Sequence, residues 1–210
     1  MRRLPVYLLI DTSGSMKGEP IEAVNVGLQA LVSSLRRDPQ ALETTHISII
    51  TFDRAARLML PLTALSELQL PDLETPESGP TMTGEALELL CQQVDTEVRT
   101  QLANIKRDWK PLLFIMTDGS PSDTQKFKAM VPECKKRCFA AITVCAAGMK
   151  AKIEPLRDLA TSIVSLDTCD SAMFSQFFLW VSASISSGAQ SVGVTSQLAL
   201  PPPPDAISIV

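Results

Sequence analysis

The sequence begins with a short apolar stretch that ends in a carboxylate and two hydroxyls at alternate positions. Residues 5–10, PVYLLI, lead into Asp11, and Ser13 and Ser15 follow with Gly14 between them. These hard oxygen ligands suit a small dication such as Mg²⁺, which keeps several waters and needs few direct protein ligands. Gly14 lets the backbone bend so that both hydroxyls point to one centre. The spacing therefore predicts a site for Mg²⁺, with Mn²⁺ or Ca²⁺ as alternatives.

Two further positions bear oxygen ligands of the same kind. Asp118 follows a second apolar stretch, residues 112–116, and Thr81 stands where a polar loop enters a helical pattern. Thr83 lies close behind, and we take Thr81 as the ligand and Thr83 as the helix cap. The alternative is that the hydroxyls are only helix N-caps and that the first carboxylate satisfies loop amides.

The elements that would position these residues alternate along the chain. Apolar and β-branched runs predict strands at 5–10, 46–52, 55–62, 112–116, 139–147 and 162–166. Three- and four-residue spacing of apolar side chains predicts helices at 21–35, 81–98, 127–131, 155–160 and 171–185. This order predicts an α/β fold with a doubly wound, Rossmann-like, mostly parallel sheet and helices on both faces. The second and third strands form a hairpin, which gives one antiparallel edge strand.

Such a sheet would bring the two aspartates together. Asp11 and Asp118 each follow a parallel strand, and ligand sites of doubly wound sheets lie at the carboxyl ends of the strands. The chain of 210 residues is long enough for one core. We therefore predict a single domain over residues 1–187, followed by a flexible, proline-containing tail over 188–210 that includes Pro201–Pro204.

Composition excludes several classes of partner. A net charge of −4 gives no electrostatic reason to bind nucleic acid or an anionic membrane. Arg2 and Arg3 precede an apolar run, but this run stops at Asp11 without the small-residue cleavage site of a secretory signal. No later run reaches the length of a membrane span. We expect a cytoplasmic protein with no membrane partner.

The cysteines agree with a reducing compartment. They are odd in number and lack CxxC spacing: Cys91, Cys134, Cys138, Cys145 and Cys169. Cys134 and Cys138 are four residues apart on a predicted helix, which leaves a soft-metal or redox role open, although no histidine lies nearby. We expect buried, structural thiols.

Enzyme chemistry has few candidates in this chain. His46 is the only histidine and has no evident triad partner, so we interpret it as structural. The segment Asp11-Thr12-Ser13-Gly14 differs from the Asp-Thr-Gly of aspartic proteases by an inserted serine. The remaining alternative is a Mg²⁺-dependent phosphotransferase or phosphatase-like enzyme with Asp11 as nucleophile. Ser13 replaces the second aspartate of such enzymes, which serves as proton carrier, and we therefore predict no enzymatic activity.

The five oxygen-bearing residues resemble the metal-ion-dependent adhesion site of von Willebrand factor A domains, written as DxSxS, then a threonine, then an aspartate. The matching positions are Asp11, Ser13, Ser15, Thr81 and Asp118. The resemblance covers about the first 185 residues in element order. It implies that both serines bind the ion directly, that the threonine and second aspartate bind directly or through water, and that the first aspartate binds largely through water. It also implies an open position for an acidic side chain of a partner protein.

Two segments are similar to a particular subfamily. The opening RRLPVYLLIDTSGSM and the segment TDGSPSD resemble bacterial TerY-type tellurium-resistance proteins. This resemblance implies an adaptor in a tellurite or stress response, with kinase- or phosphatase-like proteins of the same gene cluster as partners. One departure is the threonine loop, which is commonly Gly-Gly-Thr in the family and is Gly79-Pro80-Thr81 here. Pro80 restricts Gly79 toward extended conformations and removes an amide donor.

Overall fold

The described chain alternates between strands and helices. The computed structural model describes residues 2–76, 79–100, 106–148, 153–168, 170–190, 201–204 and, for the backbone alone, 208–209. Its strands are β1 (Leu4–Asp11), β2 (Thr45–Phe52), β3 (Ala56–Ala64), β4 (Leu112–Thr117), β5 (Ala141–Ala147), β6 (Ser162–Leu166) and β7 (Ser208–Ile209). Its helices are α1 (Glu19–Leu35), α2 (Pro39–Thr44), α3 (Thr83–Glu97), α4 (Thr124–Lys136) and α5 (Ser171–Gln190).

The strands form one sheet whose order changes direction beside β1. The described strands lie in the order β3-β2-β1-β4-β5-β6-β7. β1 is parallel to both β2 and β4, and the pairs β4–β5 and β5–β6 are parallel as well. The chain therefore winds outward from β1 in one direction and then from β4 in the other. A crevice at the carboxyl ends of β1 and β4 is the expected place for a ligand.

The helices cover both faces of the sheet, because side chains of a strand point alternately to opposite faces. Val6 and Leu8 of β1 belong to the core cluster shared with α1 and α5. Tyr7 and Leu9 belong to the cluster shared with α3 and α4. The predicted doubly wound fold is confirmed, and so is the antiparallel edge formed by β2 and β3. A second, two-residue antiparallel pairing joins β6 and β7.

Two local predictions differ from the structure. Residues 155–160 do not form an α-helix: a 3₁₀ turn, Glu154–Leu156, is followed by a loop whose Leu159 is buried. No side chain caps the start of this segment, and so short a segment without a cap forms few helical hydrogen bonds. Helix α2 was not predicted. It begins where Asp38 accepts hydrogen bonds from the amides of Gln40 and Ala41.

The C-terminal part of the chain is helical beyond the predicted boundary. Helix α5 continues to Gln190, so it ends after residue 187. Its aromatic stripe is buried as predicted, with Phe174, Phe177 and Phe178 in the core. The indole Nε1 of Trp180 donates a hydrogen bond of 2.9 Å to the carbonyl of Pro201. The division into a domain and a flexible tail stays a prediction. Of the described helices, none combines the length and apolar character that would let it cross a bilayer.

Three of the four described cysteines are buried and one is exposed. Cys91, Cys134 and Cys145 are buried, as expected, but Cys138 is exposed. The expectation that Cys134 and Cys138 share a helix is wrong, because α4 ends at Lys136 and Cys138 has a left-handed backbone with φ of 52°. Cys169 lies outside the described residues.

Candidate metal centre

The two aspartates meet at one edge of the sheet because their strands are adjacent and parallel. Ile10 of β1 pairs with Met116 of β4, so the next residues along both strands leave the sheet side by side. Asp11 is the last residue of β1, and Asp118 directly follows the end of β4. His46 lies at the beginning of β2, and its ring Nδ1 is hydrogen-bonded to the carbonyl of Thr44. It is therefore at the opposite end of the strands from the two aspartates.

A continuous chain of hydrogen bonds joins four of the five predicted residues. The amide of Ser13 donates to Oδ1 of Asp11 at 2.8 Å. The hydroxyls of Ser13 and Ser15 are 3.2 Å apart, and the hydroxyl of Ser15 donates to Oδ1 of Asp118 at 2.8 Å. A 3₁₀ turn, Gly14–Met16, carries the second serine back toward the first. The structure therefore brings these four residues together, and their role as metal ligands stays a prediction.

Thr81 lies beside the same group. A Cβ placed on Gly119 would be 3.3 Å from the Oγ1 of Thr81, so this hydroxyl lies directly over the residue that follows Asp118. The prediction that Thr83 caps the helix is wrong. It is the first residue of α3, and its buried hydroxyl has no hydrogen-bond partner among the described residues.

Sequence reasoning missed Thr117, which contacts the first carboxylate. Its hydroxyl donates to Oδ2 of Asp11 at 2.6 Å and accepts a hydrogen bond of 3.2 Å from the amide of Gly119. The signal was available, because a polar residue ends an otherwise apolar strand next to Asp118. Without the strand register, however, nothing connected Thr117 to a carboxylate more than a hundred residues away.

The family of the chain follows from its sequence as a whole. The family model for the von Willebrand factor type A domain matches residues 6–174. The chain belongs to this family. Matched residues include Asp11, both serines, Thr81 and Asp118, so the candidate metal centre lies within the von Willebrand factor A domain.

Known relatives have a low sequence identity to this domain. Matrilin-3 of Gallus gallus is 28% identical over 127 residues, which is 58% of this chain and 27% of that protein. A von Willebrand factor type A structure from Catenulispora acidiphila has a TM-score of 0.68 at 16% identity and covers 89% of this chain and 43% of that one. Proximal thread matrix protein 1 from the mussel byssus, with a zinc occupied MIDAS motif, has a TM-score of 0.62 at 13% identity, covering 87% and 48%. The chain thus spans about a quarter of the length of the curated relative, and the structural likenesses show the fold.

The donors of this von Willebrand factor A domain fit a hard cation. Among the described residues, no group of three or more histidines, cysteines, aspartates or glutamates could hold a metal ion. The donors gathered at the ends of β1 and β4 are serine and threonine hydroxyls and two carboxylates. Such an all-oxygen set favours Mg²⁺, Mn²⁺ or Ca²⁺ over softer ions.

The electrostatics of Asp11 also favour a cation. Its side chain is fully buried, and burial raises the pKa of the carboxyl from 3.8 to about 6. The hydrogen bonds from Thr117 and Ser13 lower the pKa and only partly offset this effect, while the negative charge of Asp118 raises it further. A dication near both carboxylates would stabilise the ionised form of Asp11.

The same geometry disfavours Asp11 as a nucleophile. Both of its oxygens accept hydrogen bonds, from the Ser13 amide and the Thr117 hydroxyl, and its side chain has no exposed surface. A phosphoryl group could not approach it without rearrangement of the turn. We therefore find no support for the phosphotransferase or phosphatase alternative.

Proposed function

We propose that this von Willebrand factor A domain binds Mg²⁺ and uses it to bind a carboxylate of a partner protein. The ligands are Asp11, Ser13, Ser15, Thr81 and Asp118. The observation that carries this proposal is the hydrogen-bonded chain from Ser13 through Ser15 to Asp118, which gathers oxygen donors from two separate loops. A bound dication would supply a Lewis-acidic bridge between these oxygens and the partner's carboxylate.

The burial of the five residues suggests their roles. Asp11 is fully buried with both oxygens engaged, which fits a role through water, whereas Ser15 is exposed. The hydroxyl of Ser15 is therefore accessible to an ion, and the resemblance to adhesion sites implies direct binding by the buried Ser13 as well. The open side of the site lies toward the exposed Ser15, and the partner's carboxylate would enter from there. The mussel protein's zinc-occupied motif supports divalent binding, while the all-oxygen donor set supports Mg²⁺ as the native ion here.

The partner and biological setting rest on sequence resemblance. The segments RRLPVYLLIDTSGSM and TDGSPSD are similar to TerY-type proteins. On this basis we propose a non-enzymatic, cytoplasmic adaptor in a bacterial tellurite or stress response. Its partners would be kinase- or phosphatase-like proteins of the same gene cluster.

Calorimetric titration tests the metal site directly. Chelator-treated protein is titrated with Mg²⁺ and Mn²⁺, and Ser15→Ala and Asp118→Ala are compared with Ser33→Ala, which changes an exposed serine on α1. We expect wild type and Ser33→Ala to bind alike. The two site variants should lose about tenfold or more in metal affinity, because even residues that only hydrogen-bond to a metal ligand contribute that much. Equal binding by Ser15→Ala, Asp118→Ala and wild type would overturn the proposal.

A pull-down in three arms tests the bridge to the partner. Immobilised wild-type domain is incubated with lysate in Mg²⁺ or in chelator, and Ser15→Ala is incubated in Mg²⁺. We expect one set of proteins to be retained only by wild type in Mg²⁺. Retention of the same proteins in all three arms would show that the interaction does not pass through the metal.

A further inference from the structure

The loop after β4 reaches across and binds the loop that carries Thr81. The amide of Thr81 donates to the hydroxyl of Ser122 at 3.0 Å. In return, the amide of Ser122 donates to the carbonyl of Thr81 at 2.8 Å. These reciprocal bonds connect two loops about forty residues apart in the sequence. One loop carries Thr81 and the other carries Asp118.

Asp123 strengthens this connection with its carboxylate. Its Oδ1 accepts the amide of Gly84 and its Oδ2 accepts the amide of Glu85, both at 3.0 Å. These amides belong to the first turn of α3, which has no side-chain cap of its own. Asp123 stands directly before α4, yet it makes no capping bond to that helix. The carboxylate caps the neighbouring helix instead of its own.

The two helices are in backbone contact at this point. A Cβ at Gly84 would lie 2.5 Å from the amide nitrogen of Phe127 and 2.7 Å from Oδ2 of Asp123. A Cβ atom does not come this close to other heavy atoms, so only glycine allows the first turn of α3 to approach the first turn of α4 this closely. The position of the Thr81 loop is therefore fixed against the Asp118 loop.

We infer that Ser122 and Asp123 are positioning residues of the metal centre, which hold Thr81 at a fixed place relative to Asp118. This inference rests on the proposed function. Mg²⁺ demands near-ideal octahedral geometry, so a ligand on an untethered loop must first be ordered before it can bind. The hydrogen bonds of Ser122 and Asp123 order the Thr81 loop when the protein folds, before any ion binds. Neither Ser122 nor Asp123 needs to contact the ion.

The test compares two aspartates whose side chains cap helices at opposite ends of the sheet. Asp38 accepts the amides of Gln40 and Ala41 at the start of α2, at 3.0 and 3.2 Å, and that helix leads into the opposite end of the sheet. Asp123→Ala and Asp38→Ala therefore each remove one helix cap. Both should lower the thermal midpoint, but only Asp123→Ala should weaken Mn²⁺ and Mg²⁺ binding, by about tenfold or more.

Further variants separate position from charge. Ser122→Ala leaves the net charge unchanged and removes the acceptor of the Thr81 amide. Ser122→Ala should weaken metal binding by a smaller factor than Asp123→Ala does. Asp123→Asn keeps one acceptor oxygen and should bind with an affinity between those of wild type and Asp123→Ala. If Ser122→Ala binds as wild type does and Asp123→Asn binds as weakly as Asp123→Ala, the effect is one of charge and the inference is wrong.

The outcomes distinguish this inference from the function on which it rests. If the wild type binds no metal, the proposed function fails and the inference fails with it. If the wild type binds metal and Asp123→Ala binds equally well, the inference alone is overturned. If Asp38→Ala weakens binding as much as Asp123→Ala, general destabilisation explains both, and a positioning role is excluded.

Discussion

At the scale of single residues, the site is organised by one buried carboxylate. Asp11 has no exposed surface, and its two oxygens are held by the Ser13 amide and the Thr117 hydroxyl. A buried carboxylate is costly unless it accepts hydrogen bonds. Thr117 therefore supports the fold and the candidate metal centre at the same time, although it is not one of the proposed ligands.

Thr117→Val tests this support, because valine preserves the shape and removes the hydroxyl. We expect a loss of about 1–3 kcal/mol in the free energy of unfolding, since Asp11 and the Gly119 amide both lose a partner. The control is Thr45→Val, whose buried hydroxyl has no partner among the described residues. That change should be neutral or stabilising. Urea denaturation measures both, and equal effects of the two substitutions would contradict the prediction.

The raised pKa of Asp11 predicts a pH dependence in the absence of metal. Its folded pKa of about 6 exceeds the ordinary value of 3.8. Between these values the unfolded chain loses the proton while the folded chain keeps it, so the contribution of Asp11 to stability becomes less favourable as pH rises and is constant above the folded pKa. Below the ordinary value both states are protonated and the penalty is absent.

Asp11→Asn isolates this contribution, because the amide does not titrate. In chelator, the stability of Asp11→Asn relative to wild type should rise from about pH 4 to about pH 7. Urea denaturation at several pH values measures the difference. A difference that stays constant or falls over this range would show that the carboxyl is not destabilised by burial.

At the scale of elements, α1 and α5 are in very close contact on one face of the sheet. Gly27 of α1 is buried, and a Cβ placed there would overlap the ring of Phe178 on α5. The edge-to-face contact between Phe177 and Phe178, with centroids 5.5 Å apart, holds that ring in place. The glycine therefore sets the separation of the two helices, and α1 is the helix that follows the turn with Ser13 and Ser15.

Gly27→Ala tests this separation. Alanine favours a helix over glycine by about 1 kcal/mol, but overpacking should outweigh this gain and cost about 1–3 kcal/mol. Val26→Ala changes the adjacent residue, which is 57% exposed, and should stay within about 0.5 kcal/mol of wild type. Thermal denaturation compares the two. A Gly27→Ala protein as stable as wild type would mean that α5 can move away without cost.

At the scale of the whole molecule, the chain returns to the sheet after α5. Trp180 is only 3% exposed and bonds to the carbonyl of Pro201, and Ile209 pairs with Val164 of β6. The β7 pairing covers the edge of β6, which would otherwise have unpaired amides and carbonyls. These contacts connect the proline-containing segment with the domain that precedes it.

Truncation after Gln190, the last residue of α5, tests whether the chain beyond that helix is a flexible tail. In a Trp109→Phe background, Trp180 is the only remaining tryptophan. If the contact with Pro201 persists in solution, removal of the tail should expose the indole and shift its emission to longer wavelength. The full-length Trp109→Phe protein is the control. An unchanged emission maximum would instead favour the flexible tail predicted from the sequence.

Much of the fold was predictable because it depends on local patterns. The apolar runs before Asp11 and Asp118 and the helical spacing between them predicted the order of the strands that the structure has. The errors lie where local patterns are weak. Residues 155–160 have apolar spacing but no side-chain cap at their start, whereas Asp38-Pro39 is a capped helix start that is visible only if a six-residue helix is considered.

The sequence by itself determined the kind of chemistry, because a carboxylate and hydroxyls at strand ends are oxygen ligands in any arrangement. It also determined the alternation that places two such ends side by side. Tertiary structure alone decided that Thr117 holds Asp11, that Thr81 lies over Gly119, and that Ser122 and Asp123 connect the two loops. These contacts join residues about forty to more than a hundred positions apart. Their geometry depends on strand register and on the distance between packed helices, which no local pattern of residues encodes.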